Sequence, residues 1–375
     1  MIYDKEDWAL RNIKNKLKNT RCASCRADGC GDGVCSKCLM AQAHNRDMVQ
    51  TNLFVVDNVM REYHDRCDGH DIFKSMLYRM PDEHPFLYYG IEIEVEFDES
   101  FLTVFDYDDY DDRSDISDDA QDMLKEFNKI THGMFIEERD GSLTNGIEFI
   151  SRPTSYRRWT DTQTIELMKA GFEYLKSKGA ILDQPNTNGL HVHISSKFFE
   201  YGLKDSDYTA VENAYMNMDW LFQFFQTEIE KIGGREYTSY CQSKIAKIKS
   251  DYNIGRSNRN NKYNAEFELK GKMGKSPMSS GDHYSAITMS GRTIEGRVFN
   301  SSIDYKQVLA CIEMMRNMAH AVRGGEVVGK TLGEILATKE SPYLDEVVAK
   351  LEKKYKKDTA EFNLDKVCEA EMEIK

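Results

Sequence analysis

Tyr89-Gly-Ile-Glu-Ile-Glu-Val-Glu-Phe97 alternates apolar and acidic residues without a break. Neighbouring side chains in a strand point to opposite faces. Ile91, Ile93 and Val95 therefore share one side, and Glu92, Glu94 and Glu96 the other. Aligned carboxylates repel one another unless water or a cation lies between them. An exposed strand with its polar face in solvent satisfies this pattern, and so does a cation site.

Three further segments repeat the arrangement. Asn145-Gly-Ile-Glu-Phe-Ile-Ser151 follows the turn signal Arg139-Asp140-Gly141-Ser142 and carries Glu148 between apolar neighbours, and Pro153 closes it. Asn186-Thr-Asn-Gly-Leu-His-Val-His-Ile-Ser195 sets His191 and His193 opposite Leu190, Val192 and Ile194. Two imidazoles at i and i+2 can enter one site as metal or nucleotide partners, whereas a lone strand histidine is usually structural. Arg292-Thr-Ile-Glu-Gly-Arg-Val-Phe-Asn300 sets Glu295 and Arg297 on one face. Such a pair is either a surface ion pair of little worth or a metal ligand beside a phosphate-binding guanidinium. Taken together, the segments predict a sheet whose apolar side is covered by helices and whose other side gathers carboxylates, imidazoles and a guanidinium. Hard oxygen ligands favour magnesium or manganese.

The surrounding chain has 375 residues, 40% hydrophobic and 30% charged, which suits a globular protein. Its formal net charge of -13 argues against nucleic acid as the partner. No apolar stretch is long enough for a membrane span. The charged start, Met1 to Asn19, has no signal-peptide pattern, so the cytoplasm is the expected compartment. Expected helices are Asp118 to Lys129, Thr162 to Lys178, Tyr208 to Ile232 and Lys306 to Arg323. Asp106 to Asp119 reads as a solvated acidic loop, with a gate or a dock for a basic peptide as the sharper alternative. Asp251 to Gly281 reads as a long polar loop.

Five of the nine cysteines lie between Cys22 and Cys38. The turns Cys22-x-x-Cys25 and Cys35-x-x-Cys38 can deliver four thiolates to one tetrahedral zinc ion, with Cys30 and His44 as spare candidates. The expected organisation is a helix and zinc-binding module over 1–50, a helical connector over 51–85, a strand–helix domain over 86–325 and a C-terminal helical tail over 326–375.

The strand motifs resemble those of the amidoligase family, within the larger superfamily of glutamine synthetase and glutamate–cysteine ligase. The matching residues are Gly90-Ile-Glu-Ile-Glu94, Asp140-Gly-Ser142, Gly146-Ile-Glu-Phe-Ile-Ser-Arg-Pro153, Gly189-Leu-His-Val-His193 and Thr293-Ile-Glu-Gly-Arg-Val-Phe-Asn-Ser-Ser302. Gly234-Arg-Glu-Tyr-Thr-Ser-Tyr-Cys241 is similar to a weaker family segment. The resemblance covers about Phe86 to Arg323, with the motifs in the family's order.

It implies an α+β fold: a curved, mainly antiparallel sheet, a glutamine synthetase-like half-barrel with helices on its convex face. By that analogy Glu92, Glu94, Glu148, His191 and Glu295 would bind Mg2+ or Mn2+, and His193 and Ser142 would lie at ATP. Arg297 and Arg235 would contact phosphates, and Asp140 would take part in catalysis. Gly296 departs from the family's bulkier residue, which bears on the substrate pocket. The implied activity joins a carboxylate donor to an amine acceptor through an acyl phosphate. An amino acid, a peptide, a polyamine or a protein side chain would serve as partner. Glu138, Asp140 or a residue of the long loop is the candidate base. The family's frequent occurrence in phages suggests peptide tagging or cell-wall chemistry, and the rings of glutamine synthetases leave a homo-oligomer open. Competing readings are a phosphotransferase on the same scaffold, a metal-dependent hydrolase and a non-catalytic binding protein.

Overall fold

A computed structural model of the chain describes residues 87–106, 115–140, 142–182, 188–200, 208–236, 285–289, 293–325, 327–355 and 361–368. The proposed zinc ligands Cys22, Cys25, Cys35 and Cys38, the connector 51–85 and the loop 251–281 lie outside the described residues.

The chain builds an open sheet in which every pairing is antiparallel, with strand order β4-β5-β1-β7-β9-β8. The strands are β1 (Tyr89–Phe97), β4 (Phe135–Glu138), β5 (Gly146–Ser151), β7 (Gly189–Ser195), β8 (Ile287–Met289) and β9 (Thr293–Asn300), and β6 (Ala180–Ile181) pairs with the end of β1. The four strands expected from alternation occupy its centre. β4 and β8, which the alternation did not reveal, form its edges.

The expected apolar stripe is the buried side. Ile91, Ile93, Val95, Ile147, Phe149, Leu190, Val192, Ile194, Ile294 and Val298 belong to one core with the helices α1 (Asp118–Thr131), α3 (Thr162–Ser177), α5 (Tyr208–Phe224), α6 (Gln226–Gly233) and α7 (Tyr305–Arg323). Fully burying one such side chain stabilises by about 1.5–3 kcal/mol. Phe127 of α1 meets Phe149 edge-on at 4.8 Å between ring centroids, which ties the first helix to the sheet. Short helices α2 (Tyr156–Trp159) and α4 (Lys197–Glu200) complete the layer.

The helix starts follow local chemistry. Ser117 accepts a hydrogen bond from the Ala120 N–H at the start of α1, and Asp304 accepts one from Lys306 at the start of α7. Two expectations need correction here. The helix expected over Tyr208 to Ile232 divides at Phe225 into α5 and α6. Phe225 is fully buried against the Phe224 ring at 4.9 Å, and the Lys366 ammonium donates to the Phe224 carbonyl at 2.6 Å. Phe225 keeps the ladder on both sides, donating to the Leu221 carbonyl and accepting from the Ile229 N–H, both at 2.9 Å, so the division is local and falls where the Phe224 carbonyl turns to a long-range cation. The acidic loop is also shorter than expected. Phe105–Asp106 (β2) pairs with Asp115–Ile116 (β3), and Asp118 and Asp119 form the first turn of α1, where their charge favours the helix N-terminus.

At the C-terminal end, α8 (Leu332–Leu336) and α9 (Pro342–Tyr355) fold onto α7, and Leu332, Ile335 and Leu344 join the common core. Among the described residues, no helix is long and apolar enough to cross a membrane.

Candidate active site

Pairing across the sheet turns the polar faces of the separate strands into rows, because directly opposed residues point the same way. In the first row Glu138 faces Glu148, and Glu148 faces Glu94. Beyond them the Glu94 carboxylate accepts the backbone N–H of Gly189, which pairs with Asn300. In the second row Ile136, Ile150, Glu92 and His191 follow one another. In the third, Gly90 faces His193, His193 faces Glu295, and Glu295 faces Thr288.

The register between β7 and β9 slips at His191: Leu190 pairs with Phe299, yet Val192 pairs with Gly296. Two residues, Arg297 and Val298, therefore oppose one, which is a bulge. Val298 stays in the core while Arg297 remains with the acids, donating from Nη1 to Glu295 Oε1 at 2.6 Å. The Thr288 hydroxyl donates to the other Glu295 oxygen at 2.7 Å.

His191 stands at the centre and is almost fully buried. Its Nδ1 lies 3.2 Å from Glu92 Oε2 and 3.4 Å from Glu295 Oε1, and its Nε2 lies 3.5 Å from Glu94 Oε1. Two groups able to hold a cation result. Glu92, His191 and Glu295 form one, and Glu94, Glu148 and His191 the other, with the ligand atoms of each within 4.8 Å of one another. His193 Nε2 is 3.0 Å from Glu92 Oε1, and its Nδ1 is 3.3 Å from the Thr293 hydroxyl.

The electrostatics divide the two groups. Burial pushes the Glu92 carboxyl up, but the His193 and His191 imidazoles outweigh it and hold it well below the usual range. Burial likewise opposes ionisation of Glu295, yet Arg297 and then His193 bring it down to about 2. Glu94 is raised, first by burial, with His191 opposing and the Asp140 charge adding to it. Glu148 is raised well above its ordinary value by burial and by the charges of Glu92, Glu94, Asp140 and Glu138. The first group thus carries its own balancing cations. The second crowds negative charge that a proton or a metal ion must neutralise. Buried carboxylate oxygens at this spacing fit a hard divalent cation.

Arg235 reaches this place from α6. Gly234 ends that helix at φ 73°, a left-handed conformation that glycine adopts freely, and its backbone bridges to Phe299. Gly189 leaves the space for the guanidinium. A Cβ there would lie 2.5 Å from Arg235 Nη1, 3.0 Å from His191 Nε2 and 3.2 Å from Glu94 Oε2.

The structure therefore brings together Glu92, Glu94, Glu148, His191, His193, Glu295, Arg297 and Arg235. Asp140 follows β4 closely in the chain, and its charge acts on Glu94 and Glu148. Ser142 spends its hydroxyl and its N–H on Asp140, both at 2.8 Å, in a local turn. Glu96 shares the face of Glu92 and Glu94 but accepts the N–H groups of Thr144 and Asn145 at 2.7 and 2.8 Å, so it holds a turn. Gly296 faces Met315 of α7, whose Sδ would lie 2.7 Å from a Cβ there. It lies away from the acids, so the expected bearing of this departure on the pocket is not what the fold shows. Glu138 was visible only as a candidate base. Its place in the acid row depends on pairing between β4 and β5, and Glu137 beside it hides which of the two faces the site. Thr288 gave no signal in its three-residue strand.

Carboxylates, imidazoles and guanidinium groups gathered on the polar face of an antiparallel sheet define an enzyme-like polar site built for charge neutralisation. The chain belongs to the family described as "Putative amidoligase enzyme", which it matches over residues 74–319, more than half its length. The match supports a ligase-type enzyme at that coarse level. No curated protein matches the chain.

Proposed function

We propose that the chain is an ATP- and magnesium-dependent carboxylate–amine ligase acting through an acyl phosphate, on a sheet of the glutamine synthetase type. The observation that carries this reading is the pair of carboxylate–imidazole groups sharing His191, flanked by Arg297 and Arg235. Glu92, His191 and Glu295 would hold one divalent cation. Glu94 and Glu148, with Glu138 across from them, would hold a second. Such cations, when bound, neutralise phosphate oxygens and hold the nucleotide for in-line transfer.

The protein's own groups do the rest. A neutral imidazole has one N–H and one lone pair, so His191 offers its lone pair to one group and its N–H to a carboxylate of the other. Arg297, steadied by Glu295, directs its remaining N–H groups at a transferring phosphoryl group. Its planar fork suits that charge better than an ammonium would. A substrate carboxylate oxygen attacks the γ-phosphorus, ADP leaves, and the acyl phosphate forms. An amine then attacks the acyl carbon, loses a proton to a site carboxylate and expels phosphate. Glu138, at the end of the acid row, and Asp140, whose charge acts on Glu94 and Glu148, are the candidate carboxylates for that proton.

Phosphate release from ATP with magnesium, scanned over carboxylate and amine pools, tests the assignment. Release that requires both an amine and a carboxylate, and that Glu92→Ala loses, is the expected result. Release that requires an acceptor but yields a stable phosphorylated product would favour a phosphotransferase. Neither ATP binding nor turnover in any pool would end the ligase reading.

A further inference from the structure

Three polar atoms at the β9 end of the site are buried without a hydrogen-bond partner among the described residues: Arg235 Nε, Arg297 Nε and Asn300 Oδ1. Buried polar atoms are nearly always partnered, so orphaned atoms on neighbouring residues of a polar site point to something that binds there. The backbone brings Arg235 and Asn300 together, and Arg297 lies three residues before Asn300 on the same strand. Gly234 bridges to Phe299, which brings Arg235 beside Asn300, and a Cβ on Gly234 would lie 3.7 Å from the Asn300 Cβ. Asn300 pairs with Gly189, the residue whose missing side chain admits the Arg235 guanidinium toward His191 and Glu94. Paired residues share a face, so Asn300 belongs to the acid face and closes the first row at the end opposite Glu138.

The chemistry of the three atoms is specific. Two are N–H donors on guanidinium groups, and one is a carbonyl acceptor. Arg235 itself is only 6% exposed, so its charge is directed inward. A ligand completing this set brings anionic oxygen to the arginines and an N–H to the amide. We propose that Arg235 and Asn300 seat the carboxylate-donor substrate, and that Asn300 selects donors with an N–H beside the carboxylate: free amino acids, N-acylated amino acids or peptide C-termini. This rests on the ligase reading and names the substrate class for it. A simple carboxylate would leave the Asn300 oxygen buried and unpaired, which is how a site that hydrogen-bonds its substrate rejects an analogue lacking the group.

The test uses the full chain with ATP, magnesium and hydroxylamine as a general acceptor. The donor oxygen bonds to the γ-phosphorus and ADP departs. The hydroxylamine nitrogen then attacks the acyl carbon, gives its proton to solvent and displaces phosphate, leaving a hydroxamate that iron(III) colours. The donors are amino acids, their N-acetyl forms and carboxylates of the same skeleton without nitrogen.

The expected wild-type result is a preference in kcat/KM of about tenfold to a hundredfold for the nitrogen-bearing donors. In Asn300→Leu the ratio falls to about one through KM for the donor, while Asn300→Asp, which keeps an acceptor, retains the preference. An unchanged KM for ATP in both variants shows that the site is still assembled. Equal turnover of nitrogen-free donors by the wild type, or a preference that survives in Asn300→Leu, overturns the inference and leaves the ligase reading standing. No hydroxamate from any donor removes the ligase reading, and the inference with it.

Discussion

Glu92 and Glu96 lie four residues apart on one face of one strand, yet their surroundings give them different work. Glu96 spends both oxygens on backbone N–H groups, whereas Glu92 meets His191 and His193. Replacing Glu92 or Glu295 with alanine should abolish turnover and leave the fold intact. Replacing Glu96 with glutamine should do the reverse, costing about 1–3 kcal/mol of stability as a buried N–H loses its acceptor. Denaturation curves and phosphate release on the three variants separate the cases. Wild-type turnover in Glu92→Ala or Glu295→Ala, or loss of turnover in a folded Glu96→Gln, would refute the division of roles. Alternation showed the three acids as equivalents, because face is legible from a period of two while a hydrogen-bond partner almost fifty residues away is not.

At the scale of elements, β1, β7 and β9 were legible because each alternates over six or more residues against an apolar stripe, and β5 because Glu148 stands between Ile147 and Phe149 in a short run closed by Pro153. β4 was not, since Phe135-Ile-Glu-Glu138 sets two apolar residues before two acids and shows no alternation. The break at Phe225 was hidden because helical spacing continues through it. The contact between β9 and α7 was also out of reach: position 296 reads as a gap in the motif until Met315 is seen filling it. Gly296→Leu should overpack that contact and cost about 1–3 kcal/mol. Combining it with Met315→Ala should recover a good part of the loss, and folded Gly296→Leu should retain kcat, because the residue faces the helix and not the acids. Full stability of the single variant with lost activity would place position 296 in the pocket instead. The Cys22 and Cys35 turns make a separate claim. Cys22→Ser with Cys25→Ser should release one zinc per chain and destabilise the N-terminal module, and unchanged zinc content by elemental analysis would dismiss the site.

Across the whole molecule, the site is a product of pairing. Its acids come from four strands and its second arginine from the end of a helix, so residue types were readable while their rows were not. The same holds for the way the C-terminal helices attach. Glu313 of α7, fully buried, accepts hydrogen bonds from the Tyr156 hydroxyl and the Leu344 N–H, both at 2.6 Å, and so ties α2 and the start of α9 to the central helix. Burial raises its carboxyl from 4.5 to about 7, against the lowering effect of those hydrogen bonds and of Arg316. Below its unfolded value the group is protonated in both states, and the full benefit of the folded site is present. As pH rises toward 7 the unfolded chain releases the proton first, so stability falls through that window and levels off above it. The shift corresponds to roughly 3 kcal/mol. Glu313→Gln keeps an amide in the same place and removes the titration. Its stability relative to wild type should therefore rise between pH 5 and pH 8 by an amount of that order, measured by urea denaturation at both pH values. A difference that stays constant across the window would mean that Glu313 ionises alike in the folded and unfolded chain, and that the docking of α9 carries no proton with it.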